Sequence, residues 1–126
     1  MFNLKNGLPN NGVTSLLQDS KGYIWIGTYD GLTRYNGHSF VTFTNTINSK
    51  IFQSNRVRSL FEGNNLDIWI GTDFGVTRYN YRTGQFIKLE SGVDGVQNQE
   101  CIIREIMHSQ DGSQIYCLTE RSGVLV

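Results

Sequence analysis

The sequence has no excess of charge of either sign, because 11 basic residues balance 11 acidic residues among its 126. Nucleic-acid binding depends on a basic surface that neutralises phosphates, so we expect no nucleic-acid partner. No stretch approaches the roughly 18 consecutive apolar residues of a membrane helix. The first seven residues also lack the apolar core of a signal peptide. We therefore expect no membrane contact by this segment, and either a cytosolic protein or a piece of a longer protein whose targeting signal lies elsewhere.

Cysteine and histidine are scarce, with two of each. Two cysteines form neither a disulfide framework nor a zinc site. If residues 102–108 and 114–120 pair as a hairpin, Cys117 lies opposite about position 105 and not opposite Cys101, so we expect free thiols. The histidines are isolated, and no metalloprotease, nucleophile-elbow or phosphate-loop motif occurs. The sequence predicts no catalytic residue, no metal site and no cofactor.

An internal repeat dominates the sequence. Residues 13–36 and 57–80 align without gaps at a spacing of 44 residues, and thirteen of the 24 aligned positions are identical. A third, diverged copy follows, in which Tyr116 replaces the tryptophan and Leu118 replaces the glycine of the segment Ile-Trp-Ile-Gly-Thr. We predict structural roles for the identical residues of the first two copies: Trp25, Gly27, Thr28, Gly31, Arg34 and Tyr35, with Trp69, Gly71, Thr72, Gly75, Arg78 and Tyr79.

Each copy reads as four short strands separated by turn residues rich in glycine, asparagine and aspartate. Consecutive apolar residues, as in Ile24-Trp25-Ile26, indicate a strand that is covered on both faces. Four antiparallel strands in a period of 40–50 residues are typical of a β-propeller blade. The predicted strands are 13–18, 23–28, 32–35 and 40–43 in the first copy, and 57–62, 67–72, 76–79 and 86–89 in the second.

The fold class predicted is therefore all-β, a partial β-propeller of about two and a half blades from a larger ring. Residues 1–126 form one fragment in this reading. Residues 1–5 are an outer strand of a preceding blade, 13–44 and 57–90 are blades, and 101–126 are an incomplete blade. Such a piece leaves apolar faces without the remaining blades of its ring, so we expect the isolated fragment to self-associate.

The segments Gly22-Tyr23-Ile24-Trp25-Ile26-Gly27-Thr28 and Asp30-Gly31-Leu32-Thr33-Arg34-Tyr35, and their copies in the second blade, resemble the two-component regulator propeller repeat. This resemblance implies a seven-bladed ring in the periplasmic sensor region of a Bacteroides-like hybrid histidine kinase. It implies oligosaccharide ligands and a signal passed to a kinase across the membrane. Similar repeats also precede diguanylate cyclases.

Positions that differ between copies are the better candidates for ligand contact. The loops after the second strands hold Tyr29-Asp30, Asp73-Phe74 and Glu120-Arg121. Loops on a rigid scaffold commonly carry function, and an aromatic ring beside a carboxylate suits a sugar, although two-residue loops are often only turns. Arg56 and Arg58 are suited to an anionic sugar or to plain solvation.

The repeated residues favour the structural alternative. Trp25 and Trp69 lie between isoleucines and are expected in the core. An arginine that recurs identically, as Arg34 and Arg78 do, is expected to bridge neighbouring blades or to stack on an aromatic ring. The resulting hypothesis is a non-catalytic sensing module. The rivals are a protein-interaction scaffold and a glycan-degrading enzyme, which would need two carboxylates facing one bond.

Overall fold

The computed structural model describes residues 12–47, 50–52, 54–63, 65–89, 102–119 and 124–125. Within these ranges the chain forms β-strands joined by turns. The strands are β1 (Val13–Gln18), β2 (Ile24–Thr28), β3 (Gly31–Tyr35), β4 (Phe40–Phe43), β5 (Val57–Glu62), β6 (Ile68–Thr72), β7 (Gly75–Asn80), β8 (Gln85–Leu89), β9 (Ile103–His108), β10 (Ile115–Thr119) and β11 (Val124–Leu125).

The strands form three antiparallel sheets in chain order. The first holds β1-β2-β3-β4, the second β5-β6-β7-β8, and the third β9 and β10 with the two-residue β11 beside β10. Every boundary in the first two sheets lies within one residue of the sequence prediction. Tyr23 falls outside β2 because its backbone closes the preceding turn, donating to the Asp19 carboxylate and accepting from Asp19 N.

Side chains of aspartate and asparagine build the turns at one end of the sheets. Asn36 Oδ1 accepts backbone N–H groups of the two residues that begin the β3–β4 return, and Asn80 Oδ1 does the same between β7 and β8. This local capture of N–H groups is the reason these residue types favour turns. The repeat therefore reproduces its turns through the same residue at the same position.

The sheets stack face to face, with β1 beside β5 and β5 beside β9. The cluster between the first two sheets buries Trp25, Leu32, Phe52, Ile70 and Tyr79, among others. The Trp25 and Tyr79 ring centroids lie 5.1 Å apart, and Tyr79 continues to Phe86 at 4.9 Å. Tilted aromatic pairs at these separations add to the stabilisation from burial alone.

A second cluster joins the second and third sheets. Val76, Ile103, Ile106 and Cys117 are buried there, with Trp69 partly buried against them. Cys117 is buried and pairs with Ile106, one position from the predicted partner. Cys101 lies outside the described residues, as does the predicted outer strand at 1–5. The division of the chain into blades at the predicted boundaries stays a prediction.

The neighbouring sheets approach closely at a glycine. A Cβ added at Gly27 would lie 2.7 Å from Val57 Cγ1, and one added at Gly71 would lie 2.7 Å from Ile103 Cγ2. Real Cβ atoms do not come so near, so each position requires glycine for the two sheets to pack this closely. Each of these contacts joins a β2 or β6 glycine to the first residue of the next sheet. We call the interface between two neighbouring sheets around such a contact a seam.

In the described part of the chain, no helix has the length and apolar character needed to cross a membrane.

Candidate functional site

The candidate loops lie where β2 and β6 end, at the same end of the sheets as the connection from β4 to β5. Thr28 Oγ1 donates to the Gly31 carbonyl at 3.0 Å and accepts from Asp30 N at 3.1 Å. Thr72 repeats the pattern, since its Oγ1 donates to the Gly75 carbonyl and accepts from Phe74 N. The repeated threonine thus holds each two-residue loop in one conformation, while the residues at the loop tip differ.

Asp73 is the buried member of its loop, with a side chain 8% exposed. Its carboxylate accepts hydrogen bonds from Arg58 Nε at 2.5 Å and Arg58 Nη2 at 3.4 Å. Arg56 Nη1 lies 3.8 Å from the same carboxylate. One buried carboxylate therefore orients two guanidinium groups, which is a stronger arrangement than an exposed pair because less water screens it.

Tyr29 brings the first sheet into contact with this group. Its ring is 47% exposed, and the guanidinium carbons of Arg56 and Arg58 lie 5.7 Å and 5.8 Å from the ring centroid. These distances are within the range of cation–π attraction. We call Tyr29, Arg56, Arg58 and Asp73 the end cluster. It spans two sheets and carries one more positive than negative charge.

The other predicted ligand residues have different surroundings. Asp30 is exposed at the tip of the first loop, and the Phe74 side chain is 42% exposed at the tip of the second. Both lie in the loops of the end cluster without taking part in it. Glu120 and Arg121 lie outside the described residues, so their ligand role stays a prediction.

Some of the residues assigned structural roles lie between the sheets. Arg34 Nη1 donates to Tyr79 Oη at 3.1 Å across the first seam, and its guanidinium lies over the Trp25 ring at 5.5 Å. Arg78 lies over Trp69 at 5.8 Å and 3.4 Å from Asp67 of its own sheet. Trp25 is 1% exposed, whereas Trp69 is only partly buried. Tyr35 packs on Phe40 at 4.6 Å.

Sequence reasoning did not foresee that Arg58 and Asp73 pair with each other. The pairing depends on a β-bulge: Arg58 is the extra residue between Val57 and Ser59, next to the Val57–Thr72 pair at the end of β5 and β6. The pairing changes what Asp73 offers a ligand. Its oxygens are held by arginines, so the hydrogen-bond donors available at the surface are guanidinium groups and the apolar surface is the Tyr29 ring.

This arrangement offers groups that can recognise a ligand. Among the described residues, no group of three or more histidine, cysteine, aspartate or glutamate side chains could hold a metal ion. A half-exposed aromatic ring beside oriented guanidinium donors can stack on a ligand ring and donate to its oxygens.

Three stacked antiparallel sheets with a repeated glycine seam define the architecture as a partial β-propeller. Residues 7–30 match the family described as two component regulator propeller. The resemblance to this repeat family and the predicted fold class are thereby confirmed.

The solved structures similar to this chain agree. The extracellular domain of the hybrid two-component system BT3049 from B. thetaiotaomicron superposes with a TM-score of 0.76 at 24% identity, over 100% of this chain and 19% of that one. The extracellular domain of the hybrid two-component system BT4673 from the same organism gives a TM-score of 0.69 at 28% identity, over 90% of this chain and 16% of that one.

A curated relative, "Histidine kinase P4" of Formosa agariphila, is 40% identical over 40 residues. The match covers 32% of this chain and 3% of the relative. This chain thus spans less than a fifth of the structures and a very small part of the kinase that it resembles.

Proposed function

We propose that this chain is part of the extracytoplasmic ligand-sensing propeller of a two-component sensor histidine kinase, and that the end cluster belongs to its oligosaccharide-binding surface. Binding at such a site changes how the propeller packs on its neighbours, and that change is transmitted to the kinase. Signalling of this kind requires a ligand whose affinity differs between two packing states. The segment itself performs no catalysis in this proposal.

The similarity to extracellular domains of hybrid two-component systems supports the sensor assignment and a periplasmic location. The end cluster is the single observation that supports the ligand surface. Its Tyr29 ring is nearly half exposed, and the Arg56 side chain beside it is 58% exposed. Oligosaccharides present both apolar ring faces and hydroxyl oxygens, which match an aromatic face and guanidinium donors.

Binding of the chain to an array of oligosaccharides tests the ligand assignment. We expect retention of one group of glycans without turnover, and we expect Tyr29→Ala and Arg56→Ala each to weaken it about tenfold or more. Tyr81→Ala is the matched control, because Tyr81 is partly exposed in the turn after β7, at the opposite end of the sheets. Retention unchanged in all three variants would remove the end cluster from the proposal.

Two further results bear on the sensor assignment. Cell fractionation of the source organism should place the full-length protein in the periplasm with an inner-membrane anchor. The complete reading frame should encode a membrane helix followed by kinase motifs. Capture of a protein partner with no glycan retained would favour an interaction scaffold, and release of cleaved sugar would favour an enzyme.

A further inference from the structure

The third sheet has one face against the second sheet and one face pointing away from it. Cys117 and Ile106 lie on the covered face, where they are buried. Met107 and Leu118 lie on the opposite face and are 52% and 42% exposed. We call the face that carries Met107, Tyr116 and Leu118 the outer face of the third sheet.

Strand register makes Leu118 the counterpart of the seam glycines. Leu118 pairs with the first residue after a β-bulge in β9, Glu105, and the same bulge precedes the partner of each glycine. Those partners are serines, Ser15 opposite Gly27 and Ser59 opposite Gly71. The third sheet therefore replaces the serine–glycine pair of both seams with glutamate and leucine.

A seam like the first two cannot form on this outer face. At Gly27 and Gly71 even a methyl group would collide with a β-branched residue of the next sheet, at 2.7 Å in both cases. Leu118 places four side-chain carbons at that position. Four additional carbons in a packed contact force the backbones apart. A β-branched residue of a next sheet therefore cannot pack against Leu118 as Val57 and Ile103 pack against the glycines.

The third sheet also lacks the serine that donates across the second seam. Thr14 Oγ1 donates to the Val57 carbonyl at 2.5 Å in the first seam, and Ser59 Oγ donates to the Ile103 carbonyl at 2.8 Å in the second. The residues at these two positions of the third sheet are Arg104 and Glu105. An ionised carboxylate only accepts hydrogen bonds, so Glu105 cannot replace the serine.

We propose that the outer face of the third sheet receives a propeller blade whose first strand carries glycine where Val57 and Ile103 stand. Continuity with the two existing seams argues for a blade as the occupant, since each of the other sheets is covered on the matching face by the first strand of the next. In the first two seams the small residue lies on the earlier sheet and the large residue on the next sheet. Here Leu118 is the large residue on the earlier sheet, and the glycine is the small residue on the next blade. The total volume at the contact is thereby kept.

The same leucine discriminates against a second copy of this chain. On the face of the first sheet that points away from the second sheet, Leu16 is 63% exposed, whereas its counterpart Ile106 is 5% exposed. Head-to-tail joining of two copies would bring Val13, the counterpart of Val57, against Leu118. Two bulky side chains would then meet at a position built for one, so this geometry excludes run-on assembly through the blade seam.

Complementary substitutions in the full chain test the size rule. Sedimentation velocity measures self-association of four proteins: the unchanged chain, Leu118→Gly, Val13→Gly, and Val41→Gly as the matched control. Val41 is 41% exposed and Val13 is 42% exposed, but Val41 lies on the outermost strand β4. Leu118→Gly and Val13→Gly should each raise the association constant about tenfold or more, because each restores one small and one large residue.

The mode of association has its own readout. Adding Leu16→Asp to either associating variant should return its association constant to that of the unchanged chain, since Leu16 is exposed on the face of the first sheet that points away from the second sheet. Far-ultraviolet circular dichroism checks that each variant is folded, and Val13→Ala serves if Val13→Gly is not. An increase for Leu118→Gly but none for the Val13 variant would overturn the glycine-bearing blade as occupant. Equal association of all the folded proteins would overturn the size rule itself.

Discussion

Trp25 donates its indole N–H to the Asp19 carboxylate at 2.8 Å. Both residues belong to the β1–β2 hairpin, and both are buried. The same carboxylate accepts Lys21 N at 2.9 Å and Tyr23 N at 3.0 Å. It therefore fixes the turn and the largest core side chain together. The second sheet has Gly63 at this position, where an added Cβ would lie 2.7 Å from Trp69 Nε1.

Asp19→Ala should lower the free energy of unfolding by about 2–3 kcal/mol, because it leaves a buried indole N–H and two turn N–H groups without their charged acceptor. Chemical denaturation measures the loss. Asp30→Ala is the control, since Asp30 is exposed in a loop, and it should change stability by less than about 0.5 kcal/mol. Equal effects of the two substitutions would contradict the role assigned to Asp19.

The two seam serines should respond oppositely to the same substitution. Among the described residues, the buried Ser15 Oγ has no hydrogen-bond partner, whereas Ser59 Oγ donates to the Ile103 carbonyl. Ser59→Ala should cost about 1 kcal/mol of unfolding free energy, and Ser15→Ala should be neutral or stabilise by up to about 1 kcal/mol. Thermal and denaturant unfolding of both variants provide the comparison. A loss of similar size at both positions would show that the seams are not built as described.

The bond between Arg34 and Tyr79 joins the first two sheets, so its removal should weaken their docking. Tyr79→Phe should lower the free energy of unfolding by about 1–2 kcal/mol, because the hydroxyl is bonded to a charged donor in a partly buried site. Tyr35→Phe is the matched control, since the Tyr35 hydroxyl bonds the Gly37 carbonyl at an exposed position. In an Arg34→Met background the Tyr79→Phe effect should shrink toward zero. If Tyr79→Phe lowered the free energy of unfolding by the same amount in the Arg34→Met background, the loss would not come from the bond to Arg34.

The turn before β10 contains a carboxylate with an altered pKa. Hydrogen bonds from the Ser109 hydroxyl, and then from the Ser113 backbone and hydroxyl, lower the pKa of Asp111 from 3.8 to about 2. Because the pKa is lowered, the stabilisation of this turn is complete above the ordinary value and is lost as pH falls through about 2. NMR titration of the carboxyl carbon should show this value, and Ser109→Ala should raise the pKa more than Ser113→Ala. A titration midpoint near 3.8 in the unchanged chain would contradict the turn geometry.

Most of the fold was predictable from sequence because the repeat fixes position by position what each residue does. Trp25 between two isoleucines indicated a strand covered on both faces, and the recurrence of Gly27 as Gly71 indicated a structural role for that glycine. Both inferences needed only local pattern and the 44-residue spacing. The third sheet was predictable as a hairpin because its apolar pattern survives where its glycine does not.

The end cluster was harder to predict, because it depends on contacts between loops of different sheets. Arg58 and Asp73 are 15 residues apart and meet only through the strand register, and Tyr29 joins them only once the sheets stack. The second sheet also carries its aspartate at a different position of the repeat. Asp67 is the counterpart of Tyr23 and pairs with Arg78, whereas Gly63 is the counterpart of Asp19. Such exchanges conserve packing while changing the partners of each side chain.

The two seams hold the stacked sheets together, and nuclear Overhauser effects on the isotope-labelled chain test them most directly. We expect cross-peaks from the Gly27 α-protons to a Val57 methyl group, and from the Gly71 α-protons to the Ile103 γ2-methyl group. Cross-peaks between Thr28 and Gly31 within the first sheet serve as the internal standard. Strong signals within each sheet with none between the sheets would contradict the stacking on which the proposed sensor surface depends.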